Sequence, residues 1–232
     1  MDANHNDILK MLPVSDYERL YPHLERVSLP LGEDMSRTRI GIDYVCFPVD
    51  SIVSLLGVME DGESTELALI GHEGMVGVSV LFGAGRSIMP TRTVVQSAGL
   101  GYRLAGTIAK EEFDRGGSLQ QLVLRYTQAL LSQIGQTAAC NCHHTVDQQL
   151  CRWLLLSHDR LLGDELVMTQ ALIADMLGVR RERVTQAAGN LQKAGLITYR
   201  RGHIKIRDRR GLEARSCECY HVISREYRNL LG

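Results

Sequence analysis

The sequence predicts an α+β chain: an N-terminal β-roll, one long central helix and a C-terminal winged helix-turn-helix. Three observations predict it. Short apolar runs rich in β-branched residues recur between tight turns over roughly the first 105 residues. From about Ile108 the apolar residues switch to helical spacing. Behind them, the run TQALIADMLGVRRERVTQAAGNL from Thr169 joins two short helical patterns through a glycine. The boundaries these patterns draw are 1–108 for the β-roll, 109–145 for the central helix and 146–232 for the winged helix-turn-helix.

In the front part, the strand candidates are Tyr44–Val49, Ile52–Val58, Glu66–Ile70, Met75–Leu81, Thr93–Gln96 and Gly101–Leu104. Glu60-Asp61-Gly62-Glu63 and Gly71-His72-Glu73-Gly74 supply turn signals between them. Many short strands with tight turns read as a sandwich or barrel-like roll.

The central helix carries Leu119, Leu122, Tyr126, Leu130, Ile134, Thr137 and Ala138 on one stripe. Val123, Leu124, Ala129 and Leu131 add apolar residues on other faces. A helix apolar on two sides needs two neighbours, and the second copy of the same helix in a homodimer is the expected one. Burial within one chain is the alternative. A further helix is expected over Val146–Leu161, with Leu150, Trp153, Leu154 and Leu156 as its apolar members and Gly163-Asp164 breaking it. The last helix places Leu212, Cys219, Tyr220, Ile223, Tyr227, Leu230 and Leu231 on one side.

In the rear part, Thr169 is placed to cap a helix over Gln170–Met176. Ala174 is small where a second helix crosses closely, and Gly178 follows four residues later, because only glycine takes the left-handed turn cheaply. Val184, six further on, returns to the core from the second helix. In this geometry the second helix enters the major groove by its N-terminal residues. That accounts for three arginines around one glutamate in Arg180–Arg183. A helix N-terminus attracts anions, and arginines there can bond phosphates or guanine edges bidentately. The Glu182 carboxylate suits the amino group of cytosine. A solvated helix end with an internal Arg–Glu pair is the plainer alternative. The next segment, GLITYRRGHIKIRD, alternates Ile197, Tyr199, Ile204 and Ile206 about the turn Arg201-Gly202-His203. It reads as a wing whose Arg200, Arg201, His203 and Lys205 reach the DNA backbone.

Charge agrees with this division. The 232 residues have a formal net charge of −1, yet residues 1–110 hold 9 Lys and Arg against 14 Asp and Glu, while residues 151–210 hold 12 against 6. Only the rear is suited to a polyanion. Enzyme signatures are missing. The stretch Phe82-Gly83-Ala84-Gly85-Arg86 lacks the Gly-Lys-Ser/Thr ending of a phosphate loop, and neither a Gly-x-Ser-x-Gly elbow nor a His-Glu-x-x-His helix occurs. With no membrane-length apolar run and no basic-then-apolar start, a cytoplasmic protein without membrane contact is expected, its six cysteines held as thiols.

Taken in order, β-roll, long helix and winged helix resemble the cyclic-AMP receptor protein/Fnr (Crp/Fnr) family of bacterial transcription regulators over nearly the whole chain. The resemblance implies a homodimer that reads a near-palindromic promoter site on double-stranded DNA, with RNA polymerase as a further partner. Arg181 and Glu182 stand where the family reads its half-site, and Thr169 and Arg180 stand near phosphate-holding positions. Gln186 stands where a base-reading arginine occurs in the family. Gln170, Arg183, Thr185, Arg200, Arg201 and His203 complete the candidate DNA set. The family's front domain often binds a cyclic nucleotide through a Gly-Glu-Leu-type turn and a later Arg-Ser/Thr-Ala run. Here the turn resembles Val76-Gly77-Val78, and the run resembles Thr91-Arg92-Thr93. Val78 replaces the ribose-binding glutamate, and the phosphate-binding arginine is missing or shifted by one. The resulting effector candidates are Gly77, Val78, Arg92 and Thr93, with cyclic AMP not expected to bind tightly. A non-enzymatic binding module acting through protein contacts is the second functional reading.

Two cysteine clusters remain: Cys140-Asn141-Cys142-His143-His144 and Cys217-Glu218-Cys219. Members of the family often sense oxygen, nitric oxide or redox state. Cys-x-Cys is a poor match to usual metal-site spacing, and the N-terminal cysteine group of Fnr itself is absent. The favoured reading therefore has no metal and no cofactor, with Cys140, Cys151 and Cys219 as small buried side chains. Metal or redox sensing by Cys140, Cys142, Cys217 and Cys219 is the alternative, open if the last helix packs on the hinge.

Overall fold

The structure is a computed structural model that describes residues 2–36, 43–83, 91–161, 163 and 165–231. Ala84, Gly85, Arg86 and Asp164, and the side chains of Leu230 and Leu231, lie outside the described residues. Two short helices, α1 (Asp7–Lys10) and α2 (Val14–Leu20), precede six strands: β1 (Glu25–Leu29), β2 (Tyr44–Pro48), β3 (Ile52–Val58), β4 (Ser64–Ile70), β5 (Thr91–Ser97) and β6 (Gly99–Ala105). They form two antiparallel three-stranded sheets, in the orders β1-β6-β2 and β4-β3-β5. Buried Val45, Phe47, Ile52, Ala68, Leu69 and Leu104 face the principal core. The second half of the chain supplies α3 (Gly106–Asp114), α4 (Ser118–His143), α5 (Val146–His158), β7 (Glu165–Val167), α6 (Gln170–Leu177), α7 (Arg181–Lys193), β8 (Ile197–Arg200), β9 (His203–Ile206), α8 (Arg209–Arg215) and α9 (Glu218–Leu231).

Several elements differ from the sequence expectation. Met75–Leu81 is not a strand: Val76 makes one bridge to Cys46, then Gly77 turns left-handed at φ 85° and Val78–Phe82 coils as a 3₁₀ turn. A strand needs extended φ throughout, and this glycine removes it. β1 and β7 carry too little apolar alternation to stand out in sequence. The fifth helix stops at His158 rather than Leu161. The expected last helix is two, α8 and α9, broken at Ser216-Cys217.

In α4 the expected stripe is buried at Leu119, Leu122, Tyr126, Leu130 and Thr137, and Val123 and Ala129 are buried beside it. Ala138 is exposed instead, on the side that also leaves Leu124 at 51% and Leu131 at 60% exposure. α4 packs on β4 and α9, and α5 packs on α7, α8 and α9.

One turn organises these contacts. In Gly71–Gly74, the Tyr126 ring lies so close that a Cβ on Gly74 would sit 2.5 Å from it, and the Tyr126 hydroxyl donates to the Met75 carbonyl at 2.9 Å. Arg160, just past α5, donates from Nε to Glu73 Oε1 at 2.7 Å and covers the Tyr227 ring of α9. Asn6 donates to the Gly74 carbonyl at 2.8 Å, and the Asp7 N–H to the His72 carbonyl.

Glu66 of β4 is 6% exposed. The Ser54 hydroxyl lies 2.8 Å from Glu66 Oε2 and 2.7 Å from Gln96 Oε1, so its one proton serves only one of them at a time. Burial pushes the Glu66 carboxyl up to about 7, against the pull of the Ser54 hydroxyl and the Arg152 charge. Its ordinary value is about 4.3, so between that and 7 the folded chain holds the proton that the unfolded chain releases. Stability is therefore full below that lower value and falls as pH rises through 7. Glu66→Gln should flatten this slope and raise stability at pH 8 by roughly 3 kcal/mol. Urea titrations of both forms at pH 5 and pH 8 check it, and equal slopes would refute it.

Candidate nucleic-acid interface

The Thr169 hydroxyl caps α6 by accepting from the Leu172 N–H at 3.2 Å. Gly178 ends α6 left-handed at φ 62°, and the Val179 N–H returns to the Ala174 carbonyl at 3.0 Å. This turn sets α7 across α6. Val184, Ala187, Ala188 and Leu191 of α7 are buried against Ile173, Ala174 and Leu177 of α6. The Thr185 hydroxyl donates either to Gln170 Oε1 at 2.8 Å, tying the start of α6 to α7, or to the Arg181 carbonyl at 3.1 Å. The core side of the motif is thus apolar, and the outer side of α7 is polar.

That polar side carries the candidates. Thr169, Arg180, Arg181, Glu182, Arg183, Thr185 and Gln186 are exposed, and Gln170 is half-buried. Arg180 is the N-cap residue and its side chain makes no capping bond. The first-turn N–H groups therefore lie beside guanidinium groups, a concentration of donors and positive charge suited to phosphates.

Behind α7, β8 and β9 pair in register and β7 pairs with β9 from the other side. The wing turn is the two-residue pair Arg201-Gly202, with φ 51° and 85°, as a type I′ hairpin requires. His203, expected in the turn, instead opens β9. Its Nδ1 meets Glu165 Oε1 of β7 at 2.6 Å, a pairing hidden in the sequence because β7 was not foreseen. Arg200, Arg201, His203 and Lys205 are all exposed. Tyr199 holds the wing to the segment before α6 and to α7: its hydroxyl donates to the Met168 carbonyl at 2.9 Å and its N–H donates to Gln192. Recognition helix and wing therefore form one rigid basic unit.

At the front, Gly77 is the left-handed residue before the 3₁₀ turn and Val78 is its first member. Arg92 donates from Nε to Asp34 Oδ2 at 2.9 Å, and Thr93 is buried. The arginine of the effector set is thus already held by a carboxylate. A cavity of about 600 Å³ lies elsewhere, between α1, the Gly71–Gly74 turn, α5 and α9, and none of Gly77, Val78, Arg92 and Thr93 lines it.

The two cysteine clusters meet. Cys140, Cys217 and Cys219 are buried together and His144, absent from the expected set, joins them. Cys142 is exposed and stands apart, and Cys151 is buried in the aliphatic core. The adjacency of His144 to the first cluster was the available signal.

A family model described as the Crp-like helix-turn-helix domain matches residues 148–215. No curated protein matches the chain. Several solved structures share the fold. A regulator of the crp/fnr family from Eubacterium rectale superposes with a TM-score of 0.69 at 18% identity, covering 91% of this chain and 98% of that one. FixK2 from Bradyrhizobium japonicum gives 0.65 at 15% identity over 84% and 98%. CooA from Carboxydothermus hydrogenoformans, in a mutant form, gives 0.61 at 12% identity over 92% and 96%. Among the described residues no helix is long and apolar enough to cross a membrane. Residues 148–215 thus match a Crp-like helix-turn-helix domain, and the fold of the chain as a whole is similar to that of solved structures described as Crp/Fnr regulators.

Proposed function

We propose that the protein is a homodimeric regulator whose two recognition helices read the halves of a near-palindromic promoter site, about 34 Å apart. The observation that carries this is the exposed face of Arg180, Arg181, Glu182 and Arg183, continuous with the basic wing and backed by a buried apolar side. Phosphates would be held by Thr169, Arg180 and the wing, and bases would be read by Arg181, Glu182 and Gln186, where glutamine favours adenine. DNA as the partner supports a cytoplasmic site of action, with RNA polymerase as the machinery the bound regulator meets.

Support for the homodimer comes from α4. Its exposed side carries Gln121, Leu124, Gln128, Leu131, Gly135 and Ala138, spaced alternately by three and four residues. This is the seam of a coiled coil, uncharged throughout, with small residues near one end where two helices can approach closely. Control enters at the β-roll or at the helix junction. The Gly178 turn adjoins Thr65 of β4, whose hydroxyl lies 3.5 Å from the Met176 carbonyl, so a shift of the roll is felt beside the recognition helix. One neighbour of this fold, a regulator from Xanthomonas campestris, is described as responsive to c-di-GMP. For this chain, a small-molecule input would need contacts other than the usual ribose and phosphate pair.

Arg181→Ala and Glu182→Ala should each cost about 1–3 kcal/mol of binding and relax choice at particular bases. Arg180→Ala should weaken all sequences alike and reduce the salt slope. Selection from a random DNA pool, followed by binding curves at two salt concentrations, checks both. A pool without enrichment would favour the protein-contact module instead. The pair Leu124→Glu and Leu131→Glu should turn the dimer into a monomer in sedimentation runs and lower DNA affinity by at least about tenfold. Calorimetry should find no micromolar binding of cyclic AMP; tight binding abolished by Arg92→Ala would reverse the reading of the front site.

A further inference from the structure

We propose that Cys140, His144, Cys217 and Cys219 form a tetrahedral Cys₃His site for one zinc ion, which pins the end of α4 to the start of α9. The four ligand atoms all lie within 4.8 Å of one another. Cys140 Sγ is 3.5 Å from Cys217 Sγ, and Cys219 Sγ is 3.4 Å from His144 Nδ1. A tetrahedron with zinc–sulfur bonds of about 2.3 Å and a zinc–nitrogen bond of about 2.0 Å has edges of roughly 3.5–3.8 Å. Two edges therefore stand within a few tenths of an ångström of the required form.

The chain brings these ligands from three places. Cys140 lies in the last turn of α4, and His144 is the residue that ends the helix, its N–H bonded to the Cys140 carbonyl. Cys217 sits in the break between α8 and α9, and Cys219 in the first turn of α9. The break, unforeseen in the sequence, turns the unpromising Cys-x-Cys spacing into a pincer.

Burial separates this group from ordinary core thiols. Cys46 and Cys151 each pack into clusters of aliphatic side chains. Cys140, Cys217 and Cys219 instead form a buried cluster of their own, apart from the aliphatic cores. Polar groups surround it as they surround a metal site. His144 Nε2, the nitrogen turned away from the thiols, is 3.3 Å from Glu218 Oε2, the carboxylate–histidine relay that orients metal ligands. Gln136 Nε2 donates to Cys219 Sγ at 3.1 Å. Gln149 Nε2 donates to the His144 carbonyl at 2.9 Å and fixes the turn that carries the histidine.

Three thiolates and one imidazole at this spacing suit a single thiophilic ion, whereas an iron–sulfur cluster needs its cysteines spread around a core of several atoms. Four protein ligands leave no open position, so the ion would be structural. Binding would release the thiol protons to solvent. The ion would sit where the long helix ends and the DNA-binding half begins, tightening the α4–α9 contact.

Full-length protein purified without oxygen or chelator should contain one zinc per chain by elemental analysis. Cobalt(II) added to the metal-free protein should give thiolate-to-cobalt charge-transfer absorption and the intense visible bands of a tetrahedral site. Cys219→Ser and His144→Asn should weaken cobalt binding at least about tenfold, and Cys142→Ser should leave it unchanged. Metal-free protein should melt several degrees lower than the zinc form. If the variants do not fold, the cobalt spectrum of the unaltered chain decides. Absence of thiolate absorption with cobalt, an iron–sulfur chromophore, a Cys140–Cys217 disulfide in the anaerobic protein, or equal loss in Cys142→Ser would each overturn the proposal.

Discussion

The turn Gly71–Gly74 is the constraint on which the arrangement of the molecule depends. It accepts Tyr126 from the long helix against a glycine that has no room for a side chain. Its Glu73 holds the buried Arg160, which follows α5, and Arg160 in turn faces Tyr227 of α9. Two N-terminal residues, Asn6 and Asp7, close it from the other side. Four parts of the chain thus meet at one short segment. The buried arginine and carboxylate need each other, because either alone would be an uncompensated charge in the core. Their pairing fixes direction as well as proximity, which aliphatic contact does not.

From this joint the DNA-binding half takes its position. α5 is nearly all buried, with Leu150, Trp153, Leu154, Leu155 and Leu156 shared between the front core and the winged helix. The Gly178 turn adjoins Thr65, so the recognition helix is touched by the roll at its own hinge. A closely packed interior transmits displacement rather than absorbing it. The packing therefore joins the front sheets to the end of α6 and the turn before α7.

Legibility followed the range of the signal. The helix-turn-helix was readable because Thr169, Ala174, Gly178 and Val184 act within one another's reach along the chain, and each has a local steric or capping reason. The β3, β5 and β6 runs were readable from apolar periodicity. Met75–Leu81 was misread because apolar content outweighed Gly77, whose left-handed φ decides the local path. The weakly apolar strands β1 and β7 exist because β6 and β9 offer them partners, a fact of three-dimensional pairing. With β7 unseen, the engagement of His203 by Glu165 was unseen as well.

The central helix and the cysteines show the division most clearly. Sequence alone determined that α4 is apolar on two sides and that thiols and histidines cluster in two places, because composition and helical period are local properties. It also determined which end of α7 carries the arginines. Only the tertiary structure decided that Val123 and Ala129 are buried while Leu124 and Leu131 face outward. Only it brought Cys217 and Cys219 to Cys140 and His144 across more than seventy residues. The physical reason is the same in both cases. A face of a helix, or a pair of distant thiols, acquires its meaning from whatever packs against it, and that is settled by the whole core at once.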